Sequence, residues 1–248
     1  MLTRGLLEFT RTLPPGAPEF RYAYHEVIEE GQHSLMFQEF VNRAGLPVHG
    51  LTGFNAFASR FVPRLGATFP ELFFLFVLAG EAPIDDVQRR ALSNRNLHPL
   101  LRRVMQIHVT EEARHLCFAR SYLKEHVPAL GAVRRFQLGV RIPFVLSVMA
   151  EAMMKPPTSL IQHYGIPRAV VAEAYGSELH RAQVIESLSP IRSLARELGL
   201  LHGGFGTLWR GLGIAPALPA LAPRRLPAPG VVRALPSEWL RGSAEAAE

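Results

Sequence analysis

Two stretches of this 248-residue chain repeat one pattern of chemistry. Glu29-Glu30-Gly31-Gln32-His33 and Glu111-Glu112-Ala113-Arg114-His115 share Glu-Glu-x-x-His, 82 residues apart. A helix turns by about 100° per residue, so a glutamate and a histidine three apart project from one side. Both copies extend backwards: Glu26, Glu30 and His33 are spaced four and three, and so are His108, Glu112 and His115. Each triad lies in an apolar stripe, with Ala23, Phe37, Phe40 and Val41 in the first and Leu101, Val104, Met105, Ala119 and Tyr122 in the second. Ionisable groups in such a stripe need compensation, because an unpaired buried charge is expensive. Any one of them alone reads as a satisfied core histidine or a salt bridge. Two matching triads instead call for an all-α chain in which two long helices face each other and hold metal ions between them.

That is the ligand arrangement of a ferritin-like four-helix di-iron bundle, whose other two helices contribute one glutamate each. The helix between the repeats should supply one of these. Glu81 is the candidate, in Ala79-Gly80-Glu81-Ala82-Pro83-Ile84-Asp85 directly after the most apolar run in the chain; Glu71, Asp85 and Asp86 are the alternatives. Imidazole and carboxylate suit iron, with manganese the second choice. The one cysteine, Cys117, excludes a disulfide framework and any cysteine-built zinc or iron–sulfur site.

Helical periodicity continues to about residue 200, broken by Pro and Gly. Helices are expected at about 2–13, ending at Pro14-Pro15-Gly16, at 19–43, at 70–92 with a kink at Pro83, at 99–126, and at 132–154 with a bend at Pro143. Shorter helices are expected near 168–174 and 177–200. The domain reading is a helical body over 1–205 and an extended Pro/Ala/Arg-rich tail over 206–248, not a second folded domain.

Hydrophobic residues make up 48% of the chain and charged residues 19%, which excludes a disordered protein. The net charge of +6 comes from scattered arginines, paired at 89–90, 102–103, 134–135 and 224–225 without a longer run, so no nucleic-acid partner is expected. The apolar runs 72–80 and 140–150 fall short of the roughly 20 residues of a membrane span, and no signal-peptide pattern opens the chain. A cytoplasmic protein without a membrane partner is the expectation.

Three segments resemble the p-aminobenzoate N-oxygenases and their actinobacterial di-iron relatives. They are His25-Glu26-Val27-Ile28-Glu29-Glu30-Gly31-Gln32-His33-Ser34, Gly80-Glu81-Ala82-Pro83-Ile84-Asp85, and His108-x-x-x-Glu112-x-x-His115. The likeness covers roughly residues 14–200. Its specific part is the third histidine, matched by His108, which ordinary ferritin-like sites lack. By resemblance, Glu30, His33, Glu81, His108, Glu112 and His115 are ligands of two irons. Dioxygen is then the co-substrate, and an aryl amine is oxidised towards the hydroxylamine and nitro level. A small-molecule substrate, an electron donor (a reductase or ferredoxin) and a homodimer are implied as well. Glu26, Glu29, Glu111 and Asp85 are candidates for groups that orient the ligands. The helix at 132–154 can line a substrate cavity through Phe144, Val148 and Met149, with Arg141 to pair with a substrate carboxylate. The alternatives are a non-catalytic or partly metal-binding degraded relative, or a di-iron hydroxylase or desaturase of another substrate.

One carboxylate is missing from this set. Glu81 precedes Glu112 by 31 residues, and the matching partner of Glu30 would fall near position −1. Glu8 is out of register by six residues, roughly 9 Å along a helix. The expectation is a chain that begins inside its first helix or a site that is incomplete, with Glu8 and Glu26 the nearest substitutes.

Overall fold

The computed structural model describes residues 1–45, 50, 53–201 and 204–216. Among them it is all-α, with no strand. In chain order the helices are α1 (Leu2–Thr10), α2 (Pro18–Arg43), α3 (Gly53–Ala58), α4 (Val62–Thr68), α5 (Pro70–Leu92), α6 (Pro99–His126), a 3-10 turn η1 (Val127–Ala129), α7 (Ala132–Met154), α8 (Thr158–His163), α9 (Arg168–Gly176), α10 (Glu178–Ser187), α11 (Ser189–Glu197) and α12 (Gly204–Gly211).

Proline sets many of the helix starts. It occupies the first turn of α2, α4, α5, α6 and α11, where its missing N–H has no intrahelical partner to lose. Pro83 and Pro143 instead sit inside α5 and α7, which continue through them. α2 stops at a left-handed Gly45 (φ +64°). α1 ends at Thr10, three residues before the expected stop, where the Thr10 and Thr12 hydroxyls donate to the carbonyls of Leu7 and Phe9. The single helix expected over 177–200 divides at Leu188, because Pro190 starts a new one. Helical structure also continues past the boundary expected at 205: α12 buries Trp209, and Ile214 beyond it is buried too. The remainder of the expected tail, 217–248, lies outside the described residues.

The innermost helix is α5, which carries the apolar run 72–80. α5 buries Phe73, Phe74, Leu78 and Ala79 and packs against α1, α4, α6, α7, α10 and α11. Phe9 of α1, Phe74 of α5 and Tyr122 of α6 meet as a ring cluster with centroids 4.6–5.3 Å apart. α1 crosses α4 at two glycines: a Cβ on Gly66 would lie 2.0 Å from the Gly5 carbonyl oxygen, and one on Gly5 would strike the Phe73 ring. The helical stretch Ala132–His163, which opens with α7, contains an 18-residue window apolar enough to cross a membrane by length and composition, the one such helix among the described residues. Here α7 packs on α5 through Leu138, Ile142, Leu146 and Ala150. The site lies where α2, α5 and α6 converge.

Candidate metal centre

α2 has three buried residues, and two of them are ionisable: Ala23, Glu26 and His33. α6 likewise buries Glu112 and His115 among Val104, Val109, Leu116 and Ala119. The helical spacing places these groups on the faces where the two helices meet. Their donor atoms form two groups, each with all atoms within 4.8 Å of one another. One is His33, His108 and Glu112; the other is Glu30, Glu81, Glu112 and His115. Glu112 belongs to both. Glu81, rather than Glu71, Asp85 or Asp86, is the α5 carboxylate brought into the cluster.

The two repeats face it in the same way. His33 Nδ1 lies 3.2 Å from Glu30 and 3.3 Å from Glu112, and His115 Nδ1 lies 3.3 Å from Glu112 and 3.4 Å from Glu30. The outer nitrogens cross over. His33 Nε2 meets Glu111 at 2.7 Å, and His115 Nε2 meets Glu29 at 2.9 Å. The leading glutamate of each Glu-Glu-x-x-His thus orients the histidine of the other, leaving Nδ1 toward the cluster. Glu29 is also bound by Arg114. His108 is reversed: its Nδ1 bonds Gln88 Oε1 at 2.9 Å, and its Nε2 lies 3.3 Å from Glu112. Gln88 is buried on α5 and was not singled out from sequence. Its signal was there to read, since it follows Glu81 by seven residues, two turns along the same face.

Charge is unevenly matched. Burial pulls the His33 and His115 imidazoles down, but the carboxylates around them win and push them up to about 10 and about 11. Burial opposes ionisation of Glu112, yet His115, His33 and His108 hold it below the ordinary carboxylate range. His108 is lowered, chiefly by burial. Glu81 is raised well above normal by burial and then by Glu112, Glu26 and Glu30, and Glu26 is raised by burial to about 7. Both oxygens of Glu26 and of Glu81 are buried without a hydrogen-bond partner. Native interiors seldom leave such oxygens bare. A three-histidine, multi-carboxylate donor set with unpartnered buried oxygens fits two hard or borderline divalent cations.

Of the residues proposed to orient the ligands, Glu29 and Glu111 touch the histidines and Glu26 is buried beside the cluster. Asp85 is not brought in; it pairs with Arg89 at 2.7 Å. Glu71 lies at the start of α5 with Arg134 at 4.0 Å, and Glu8 pairs with Arg11 at 3.0 Å. The expected substrate residues separate. Arg141, Phe144 and Val148 are exposed on the outward side of α7, because Leu138, Ile142 and Leu146 take its inner side. Met149 is turned inward, its Cε 3.3 Å from where a Cβ on Gly80 would be, next to Glu81.

Residues 1–199 match the family described as P-aminobenzoate N-oxygenase AurF. The chain is 40% identical over 212 residues to the uncharacterized proteins Rv0885 of Mycobacterium tuberculosis (strain ATCC 25618 / H37Rv) and Mb0909 of Mycobacterium bovis. The match covers 85% of this chain and 62% of each relative, so the chain spans less than two thirds of their length. No solved structure matches it.

Proposed function

The chain belongs to the p-aminobenzoate N-oxygenase family, and on that footing we propose that it is a non-haem di-iron oxygenase acting on an aryl amine. The observation that carries this reading is the pair of donor groups sharing Glu112, with three histidines rather than two. Glu30, His33, Glu81, His108, Glu112 and His115 would hold the metal, iron before manganese. Bound iron supplies dioxygen activation. In the first oxidation one oxygen atom goes to the amine nitrogen and the other to water, with two electrons and two protons from a reductase or ferredoxin.

The protein's own residues hold the ligands and shape the surroundings. Glu29 and Glu111 fix the two Nδ1 atoms toward the cluster, and Gln88 fixes the Nε2 of His108. Phe37 covers His108 edge-on, with ring centroids 4.9 Å apart, while Phe118 and Tyr22 stack at 3.9 Å. Such walls exclude water from a reactive centre. Location in the cytoplasm and a homodimer complete the proposal.

Anaerobic reconstitution with ferrous iron tests it. Close to two irons per chain, and oxygen uptake stimulated by an aminobenzoate, are expected. Sub-stoichiometric metal without oxygen uptake would instead identify a degraded, non-catalytic relative. Oxygen uptake coupled only to C–H substrates would identify a hydroxylase or desaturase.

A further inference from the structure

A cavity of about 190 Å³, lined by no residue of the metal cluster, lies between the end of α7, the end of α9, the first two turns of α10 and the turn after α12. Its floor is held by specific bonds. Gly213 takes a left-handed φ of +71° just past α12, and the Ile214 N–H then reaches back to the Trp209 carbonyl at 3.2 Å. That turn drives Ile214 inward, 2% exposed, to line the cavity with Ala150 and Val184. Arg192 donates to the carbonyls of Ile214 and of Ile185 on α10, which ties the floor to the wall.

The rim is basic, with Lys155 and Arg181 against one acid, Glu151. Lys155 and Glu151 pair at 2.6 Å, but their side chains are 33% and 67% exposed, so the ammonium is the half turned inward. An ion pair this exposed contributes little, and Lys155 can change partners at small cost. Arg181 spends one nitrogen on the Gly176 carbonyl at 3.0 Å and keeps the rest of its guanidinium for another acceptor. Tyr175 and His180 stand edge to face with ring centroids 5.0 Å apart. Burial and then the Lys155 charge lower His180, which leaves its ring neutral at pH 7 with one N–H to donate. An apolar floor under such a rim selects an anion carried on an apolar body. The volume is below the roughly 300–1,000 Å³ of pockets for drug-sized ligands, so that body is small. A rim of net charge +1 suits a carboxylate better than a dianionic phosphate. We propose that this cavity is a second ligand site, taking a small organic carboxylate with its apolar body on Ala150, Val184 and Ile214 and its charge at Lys155 and Arg181. The site stands apart from the metal centre and from the reaction proposed there.

Benzoate is the probe, titrated into the whole chain freed of metal with a chelator, so that no ion can hold the carboxylate. Calorimetry measures the affinity, and nuclear Overhauser contacts locate the ring. One benzoate per chain is expected, with its ring against the Val184 and Ile214 methyl groups. Lys155→Gln and Arg181→Gln should each weaken binding about 10-fold, and methyl benzoate, which keeps the ring without the charge, should lose at least as much. Val184→Phe should abolish binding by filling the cavity; circular dichroism checks its fold, and the two rim variants decide the matter if it does not fold. Absence of saturable benzoate binding overturns the proposal. So do ring contacts elsewhere in the chain, unchanged affinity in both folded rim variants, or an ester that binds as well as the acid. Inorganic phosphate bound more tightly than benzoate overturns the carboxylate assignment.

Discussion

His108 offers the cluster the opposite nitrogen from His33 and His115, and the reason is a single amide. Gln88 accepts from His108 Nδ1 at 2.9 Å, which leaves Nε2 as the lone-pair nitrogen facing Glu112. A ligand histidine whose outer nitrogen is unheld loses both orientation and basicity. Gln88→Leu puts an apolar residue of similar size at this buried position and removes the acceptor. It should lower metal affinity by about 10- to 100-fold, through the His33–His108–Glu112 group. Gln88→Glu restores an acceptor and should recover most of the loss. Cobalt titration with circular dichroism checks both; a folded Gln88→Leu with wild-type affinity would show that the amide does not orient the ring.

Between elements, glycine decides how closely α1 approaches its neighbours. Gly66 of α4 sits under the backbone of α1, so an added methyl meets main-chain atoms that no side-chain rotation can move away. Gly66→Ala should cost about 1–3 kcal/mol or more by overpacking. It should also loosen the Phe9–Phe74–Tyr122 ring cluster that ties α1 to α5 and α6. Gly31 of α2 is the contrast: nothing lies within 4 Å of a Cβ there, and the position is mid-helix. Gly31→Ala should stabilise by about 0.5–1 kcal/mol, the usual difference between the two residues in a helix. Denaturant midpoints measure both, and equal effects would contradict the packing assigned to the α1–α4 crossing.

For the molecule as a whole, the cluster sets how stability depends on pH. His33 and His115, at about 10 and 11 against an ordinary 6.5, favour folding when protonated. Their contribution is complete below about pH 6.5 and is lost as pH climbs through 10 and 11. Glu26, raised from 4.5 to about 7, acts in the same sense and has lost its contribution above pH 7. Glu30 and Glu112 are lowered, so their contribution is present above about pH 4.5 and is lost on acidification. The metal-free protein should therefore be most stable near pH 5–6, and its Tm should fall towards pH 10. Divalent ions replace the histidine protons, so metal-loaded protein should gain stability from pH 6 to 8. Scanning calorimetry with chelator and with Mn²⁺ checks the crossing; parallel profiles would mean that metal does not bind at the histidines.

The sequence by itself determined the long helices, the ligand types and their register on α2 and α6. Each of these is local: a period near 3.6 places Glu30 with His33, and Glu112 with His115 and His108, whatever surrounds them. It put Glu81 first among the α5 carboxylates and left Glu71, Asp85 and Asp86 as alternatives, because all four lie on one helix. Periodicity fixes the angle between residues on a helix but not the rotation of that helix against its neighbours. Only the tertiary structure decided the crossed pairs Glu29–His115 and Glu111–His33, the placing of Gln88 behind His108, and the burial of Glu26. It alone turned Phe144, Val148 and Arg141 outward, because α7 packs on α5 through Leu138, Ile142 and Leu146, and that packing sets which side of the helix the site can see.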